Sequence, residues 1–203
     1  MQFSCGIEIK QKVRCLLFDL DGTLVDNMHL HVEAWMKTGN EFKVPITAEM
    51  IHTNAGIPTR QLIEKLSRKY NWEVDYELFT QSKQARYKQV KKDSGQINII
   101  EPIVEIARYY KDNLPMGIGT GSSRSNALSA LEEANILNWF GVVVAAEDVK
   151  YPKPHPEVYL KGARVLGVDP EYCLVLEDGE KGIQSAVEAG MDFIDVRTYL
   201  NQG

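Results

Sequence analysis

Four short stretches of this chain hold the side chains that could do chemistry: Asp19-Leu-Asp21-Gly-Thr23, Thr120-Gly121-Ser122-Ser123, Lys153 between two prolines, and Glu177-Asp178. Together they offer four carboxylates, one ammonium, and hydroxyl or amide donors. Two carboxylates about 4 Å apart repel by about 4 kcal/mol at an effective dielectric near 20. Four of them at one mouth therefore require a bound cation or large pKa shifts. Oxygen ligands alone point to Mg²⁺ rather than to zinc or copper. Lys153 and the Thr120 hydroxyl suit a phosphate held beside that metal. The chemistry so assembled is transfer of a phosphoryl group on a small molecule.

Each stretch follows a short apolar run with the character of a buried parallel strand, at 13–18, 116–120, 142–146 and 173–176, and 193–196 reads as a last strand. Helical periodicity separates them at 103–110, 126–134, 157–166 and 182–189. The alternation predicts a Rossmann-like α/β fold, a doubly wound parallel sheet with helices on both faces. In such open sheets ligands bind at the carboxyl ends of the strands, where all four stretches fall. The segment 28–97 differs, with helical periodicity at 31–36, 61–66 and 78–90 and no convincing strand. It is expected to form an inserted α-helical cap, residues 28–97, on a core made of 1–27 and 98–203. Positions 26–27 and 98–102 would be its linkers.

The bulk properties narrow the function classes. A net charge of −5 over 203 residues argues against a surface built for nucleic acid or for anionic lipid. The hydrophobic content, 44%, fills a core without help from disulfides or a structural metal. Cys5, Cys15 and Cys173 are odd in number and form no C-x-x-C pair. Residues 1–12 hold no continuous apolar stretch, and no later run reaches membrane-spanning length. A cytoplasmic monomer that acts on a small phosphorylated metabolite is expected.

Each stretch also has a plainer reading. Asp-x-Asp-Gly is often a turn, and as a calcium loop it fails because its Gly comes two residues early and Leu30 stands where Glu is needed. Gly117-x-Gly119-x-Gly121 lacks the third glycine of a dinucleotide loop, since Ser122 occupies that place. The prolines around Lys153 suit a rigid loop and a helix start, and Glu177-Asp178 could cap a helix. These readings fail jointly, because all four stretches follow strands of one expected sheet.

The order D-L-D-G-T, T-G-S-S, K-P-x-P, E-D resembles the four motifs of the haloacid dehalogenase superfamily over nearly the whole chain. Asp19-Leu-Asp-Gly-Thr-Leu-Val-Asp26 followed by His31 and Trp35, and Glu177-Asp-Gly-Glu-Lys-Gly-Ile183, are similar to its β-phosphoglucomutase-like branch. The likeness extends to bacterial phosphatases of fructose 1-phosphate and 6-phosphogluconate. The resemblance implies that Asp19 attacks phosphorus and forms an aspartyl-phosphate. Asp21 would exchange a proton with the leaving and entering oxygens. It further implies Mg²⁺ held by the Asp19 carboxylate, the Asp21 carbonyl and Asp178 with Glu177 adjoining. Thr120, the amides of Gly121 and Ser122, and Lys153 would neutralise the phosphoryl oxygens.

His31, Trp35 and Lys83 match cap-side functional positions of the sugar-phosphate mutases, Lys83 more loosely. Trp35 reads as core packing more than as a substrate contact, Lys83 also reads as one charge on a solvated helix, and His31 reads as either. The mutases grip a second phosphate with an Arg in the cap loop. Here Thr59 stands at the matching position and Arg60 follows it. One residue turns a side chain by about 100° at a helix start, which favours hydrolysis over isomerisation.

Overall fold

Cys15, Leu16, Leu17 and Phe18 are buried on both sides, and they form β1 (Cys15–Phe18), the middle strand of a parallel sheet. The computed structural model describes residues 3–95 and 97–200. Positions 1, 2, 96 and 201–203 lie outside the described residues; they include the outer ends of the expected core segments and one position of the expected cap. After β1 come β2 (Val25–Asp26), α1 (Met28–Glu41), α2 (Ala48–His52), α3 (Thr59–Tyr70), α4 (Tyr76–Ser94) and β3 (Asn98–Ile99). Then follow α5 (Glu101–Tyr110), β4 (Met116–Gly119), α6 (Arg124–Glu133), β5 (Val142–Val144) and α7 (Glu157–Leu166). The chain closes with β6 (Cys173–Glu177), α8 (Glu180–Glu188), β7 (Asp192–Asp195) and α9 (Arg197–Leu200).

The sheet order is β5-β4-β1-β6-β7, all parallel, so the chain winds first to one side of β1 and then to the other. That reversal beside β1 opens a crevice at the carboxyl ends of the strands. Alternation along the strands sorts the two faces. Leu16, Phe18, Leu174 and Leu176 pack with Ile103 and Ile106 of α5 on one face. Cys15, Leu17, Cys173 and Val175 pack with Tyr159 and Ala163 of α7 and Ala186 of α8 on the other. Each buried valine, leucine, isoleucine or phenylalanine among them contributes roughly 1.5–3 kcal/mol, so the sheet is held from both sides by helices, a doubly wound α/β fold.

Helices α1 to α4 share an apolar core of their own, which includes Trp35, Ile51, Leu62, Ile63, Leu66 and Phe79. Local signals set their ends. The Asp75 side chain accepts from the amides of Glu77 and Leu78, both at 2.9 Å, and starts α4. Asn71, in the left-handed region at φ 56°, ends α3.

The stretches expected as linkers at 26–27 and 98–102 carry backbone pairing. Val25 pairs with Ile99 and Asp26 with Asn98 as a two-stranded antiparallel ribbon. Two-residue strands carry no readable period, and Val25 and Asp26 pair with residues 74 and 72 positions further on. The expected strand 142–146 ends at Val144, since 146–148 turns into a short 3-10 helix.

Candidate active site

Asp19 follows β1 directly, its amide hydrogen-bonded to the Leu176 carbonyl at 3.0 Å, so the sheet geometry extends to this residue. Thr120 follows β4, Glu177 ends β6, and Asp178 comes next. The Lys153 ammonium lies 2.7 Å from Asp19 Oδ1 and 2.6 Å from Glu177 Oε1, buried with both. The second oxygen of Glu177 accepts the Gly179 amide at 2.5 Å. Asp178 is fixed by Thr23, whose hydroxyl donates to Oδ1 at 2.8 Å, and by Gly22, where a Cβ would stand 2.4 Å from Oδ2. Only a glycine at that point, at φ +92°, lets the carboxylate come so near.

Asp19, Glu177 and Asp178 each place a carboxylate oxygen within 4.8 Å of the others. At that spacing each pair repels by roughly 3 kcal/mol at an effective dielectric near 20. Burial pushes Asp19 well above the usual carboxylate range; Lys153 opposes that, while Glu177, Asp178 and Asp21 add to it. Burial, with Glu177 beside it, pushes Asp178 up to about 7. Lys153, despite burial, is pushed well above its ordinary value by Asp19 and Glu177. Three crowded carboxylates against one ammonium leave negative charge that a cation would neutralise. The all-oxygen donor set suits Mg²⁺.

Asp21 is placed differently, since its carboxylate turns away from that trio. Oδ1 accepts from Asn27 Nδ2 at 2.5 Å and from His31 Nε2 at 3.3 Å. Oδ2 accepts from the hydroxyls of Ser122 at 2.5 Å and Thr120 at 3.3 Å. Burial pushes Asp21 up, but His31, Ser122 and Asn27 outweigh it and hold the carboxyl well below its usual range.

Behind Asp21 stands a relay. Lys83 Nζ lies 3.0 Å from His31 Nδ1, so His31 accepts there and donates its Nε2 proton to Asp21. Burial and then Lys83 push His31 down, which suits that neutral form. Lys83 is itself pushed down to about 8 by burial. The reading of Lys83 as one charge on a solvated helix is therefore corrected, because only 4% of it is exposed. Trp35 packs on Phe79 at 5.4 Å and lines the cavity.

That cavity, of about 290 Å³, lies between α1, α3 and α4 and the carboxyl end of the sheet. Asp19, Asp21, Thr120, Gly121 and Ser122 form its floor. Thr59 and Arg60 line it from the start of α3, but the Arg60 guanidinium is paired with Glu77 of α4. Gly121 meets the Gly56 carbonyl so closely that a Cβ there would stand 2.2 Å from it. The two loops touch across the mouth because position 121 has no side chain. The Ser122 amide donates to Thr120 Oγ1 at 3.0 Å.

Sequence reasoning passed over Thr23, Asn27, Tyr87 and Tyr159. Thr23 sits inside the first motif and was within reach. Asn27 looked like a linker residue, and the two tyrosines carry no local signal, since their partners are His31 at 4.1 Å ring to ring and Glu177.

A family model of haloacid dehalogenase-like hydrolases matches residues 16–196, which include every one of these groups. The chain belongs to that family. It is 32% identical over 184 residues to a fructose-1-phosphate phosphatase of Escherichia coli, covering 90% of this chain and 95% of that one. It is 27% identical to a β-phosphoglucomutase of Bacillus subtilis, covering 91% and 83% of the two chains. Among solved structures, a β-phosphoglucomutase from Clostridium difficile superposes with a TM-score of 0.78 at 25% identity, covering 89% and 83%. The protein is thus a haloacid dehalogenase-family enzyme whose relatives are phosphatases and a mutase. Among the described residues no helix is long and apolar enough to cross a membrane.

Proton competition at Asp178 gives this family member a testable pH signature. A carboxyl raised from 3.8 to about 7 keeps its proton in the folded state after the unfolded chain has released it. The stability it contributes is present below pH 3.8 and is lost as pH rises through about 7. A divalent cation needs the ionised form, so the rise in Tm on adding MgCl₂ should be larger at about pH 8 than at about pH 5.5. Equal gains at both pH values, by scanning calorimetry, would remove Asp178 from the cation site.

Proposed function

We propose that the protein is a Mg²⁺-dependent phosphatase of small phosphorylated sugars or sugar acids, working through an aspartyl-phosphate on Asp19. The observation that carries this reading is the division of labour between the two aspartates. Asp19 lies among carboxylates that could hold a cation, with Lys153 on one oxygen, while Asp21 is held apart by four donors. One is placed to attack phosphorus and the other to move protons.

Asp19 attacks in line, and Lys153, Thr120 and the amides of Gly121 and Ser122 take the charge of the phosphoryl oxygens. The hydroxyls of Thr120 and Ser122, now on Asp21 Oδ2, turn to the phosphoryl group when it arrives. Relieved of two donors, Asp21 becomes more basic, takes up a proton from solvent as the substrate enters, and gives it to the leaving sugar oxygen. It then receives one from the water that hydrolyses the acyl phosphate. Asp19, Asp178 and the Asp21 carbonyl would hold Mg²⁺ with Glu177 adjoining, and the ion would supply neutralisation of the clustered charge. The relatives that act on fructose 1-phosphate and on β-glucose phosphates support a sugar-sized leaving group.

We place the boundary at 28–97, as a cap that closes over the cavity and selects the sugar, on a core of 1–27 and 98–203. Hydrolysis is favoured over isomerisation because Thr59 brings no cation to the cavity and Arg60 is engaged by Glu77. A mutase must grip the far phosphate of a bisphosphate, best with a free guanidinium. The chain should release inorganic phosphate from several phosphosugars with Mg²⁺ and stop in excess chelator. Release that persists in chelator, or from no member of a phosphosugar panel, would overturn the reading.

A further inference from the structure

Tyr159 has no part in the scheme above, yet it is the largest fully buried side chain among the described residues, and it lies directly beneath the reacting groups. It projects from α7 under the end of β4. A Cβ at Gly119 would stand 2.9 and 3.0 Å from its ring carbons, so the ring fills space that only a glycine leaves there. Its hydroxyl donates to Glu177 Oε1 at 3.1 Å. The Lys153 ammonium stands 4.8 Å from its ring centroid.

These contacts bear on a competition. Lysine is a point charge on a flexible stem, and here the ammonium is shared between Asp19 Oδ1 at 2.7 Å and Glu177 Oε1 at 2.6 Å. Left alone, Glu177 would draw the ammonium to itself. The Tyr159 hydroxyl occupies the same carboxylate oxygen and weakens that hold, while the Gly179 amide pins the other oxygen. The aromatic face attracts the cation from below. Lys153 is thereby confined in three directions and kept against Asp19.

We propose that Tyr159 is a positioning residue, which through Glu177 and its own ring face holds the Lys153 ammonium where the transferred phosphoryl group is neutralised. The inference rests on the roles given above to Asp19 and Lys153. A partner that orients a catalytic group is commonly worth about ten- to a hundredfold. A filler of the core would affect melting alone.

The test is a cycle of four proteins: wild type, Tyr159→Phe, Glu177→Gln and the double variant. Tyr159→Phe keeps the ring and the volume, and its melting is measured alongside. It should lower kcat about tenfold with KM changed less than about twofold. In the Glu177→Gln background the same change should cost less than about twofold, because the hydroxyl acts through Glu177. If Glu177→Gln turns over too slowly to time, the affinity for orthovanadate, a stand-in for the transferring phosphoryl group, is compared across the four by calorimetry and should show the same pattern. Wild-type kcat in Tyr159→Phe, or an equal loss in both backgrounds, would overturn the inference. Failure of the wild type to release phosphate from any phosphosugar would instead overturn the phosphatase reading, and vanadate binding would still decide for or against Tyr159.

Discussion

Asp19→Asn should leave a folded protein with less than about a hundredth of wild-type turnover, a loss above about 3 kcal/mol in the barrier. An amide is not a nucleophile, and it is a poor ligand for a hard cation. Stability should move the other way. Burial already pushes the Asp19 carboxyl well up, with Glu177 and Asp178 adding to the strain of ionising it. The neutral amide removes that repulsion, and Lys153 keeps Glu177 as its counter-ion. Without added Mg²⁺ the variant should melt at or above the wild-type temperature. Fluoroberyllate, which mimics the acyl phosphate, should bind the wild type and fail to bind the variant. Turnover above a hundredth of wild type would take the nucleophile away from Asp19.

Lys153→Ala should be costly in both respects. Removing one partner of a buried ion pair typically costs about 3–5 kcal/mol, because the charges left behind are uncompensated. Here Asp19 and Glu177 would both be left, with Asp178 nearby. The melting temperature in chelator should fall accordingly, and Mg²⁺ should restore part of it, since a divalent cation neutralises the same carboxylates. Turnover should fall at least about a hundredfold even with saturating Mg²⁺, because a buried charge on the transferring group is lost. A variant that melts like the wild type in chelator would show that the lysine does not hold this cluster together.

The α/β fold was legible because its signals are local. The all-apolar Leu16-Leu17-Phe18 run, and others of its kind, announced buried parallel strands, and the polar residue after each run marked the strand's carboxyl end. The same logic brought Asp19, Thr120, Lys153 and Glu177 to one mouth from positions far apart in the chain. The ribbon of Val25 and Asp26 with Asn98 and Ile99 was not legible, since two residues carry no period and the pairing is decided across the fold. Lys83 shows a different limit. On α4 it falls between Phe79 and Tyr87 on the inward stripe, but a lysine's charge argues for solvent, and only the meeting of α1 with α4 places its ammonium on His31. The direction of the Asp21 carboxylate likewise depends on Asn27 and Ser122, which come from two separate loops. Arg60 follows the same rule, for its engagement with Glu77 is set by the packing of α3 on α4.

The central claim is that the phosphoryl group on Asp19 passes to water. Phosphorus NMR of the enzyme with Mg²⁺ and β-glucose 1-phosphate tests it most directly, because substrate, isomer and inorganic phosphate are resolved in one spectrum. The inorganic phosphate signal should grow with no accumulation of glucose 6-phosphate and no need for a bisphosphate primer. Glucose 6-phosphate that appears well ahead of phosphate, and faster with β-glucose 1,6-bisphosphate, would contradict it and make Arg60 the grip for the second phosphate.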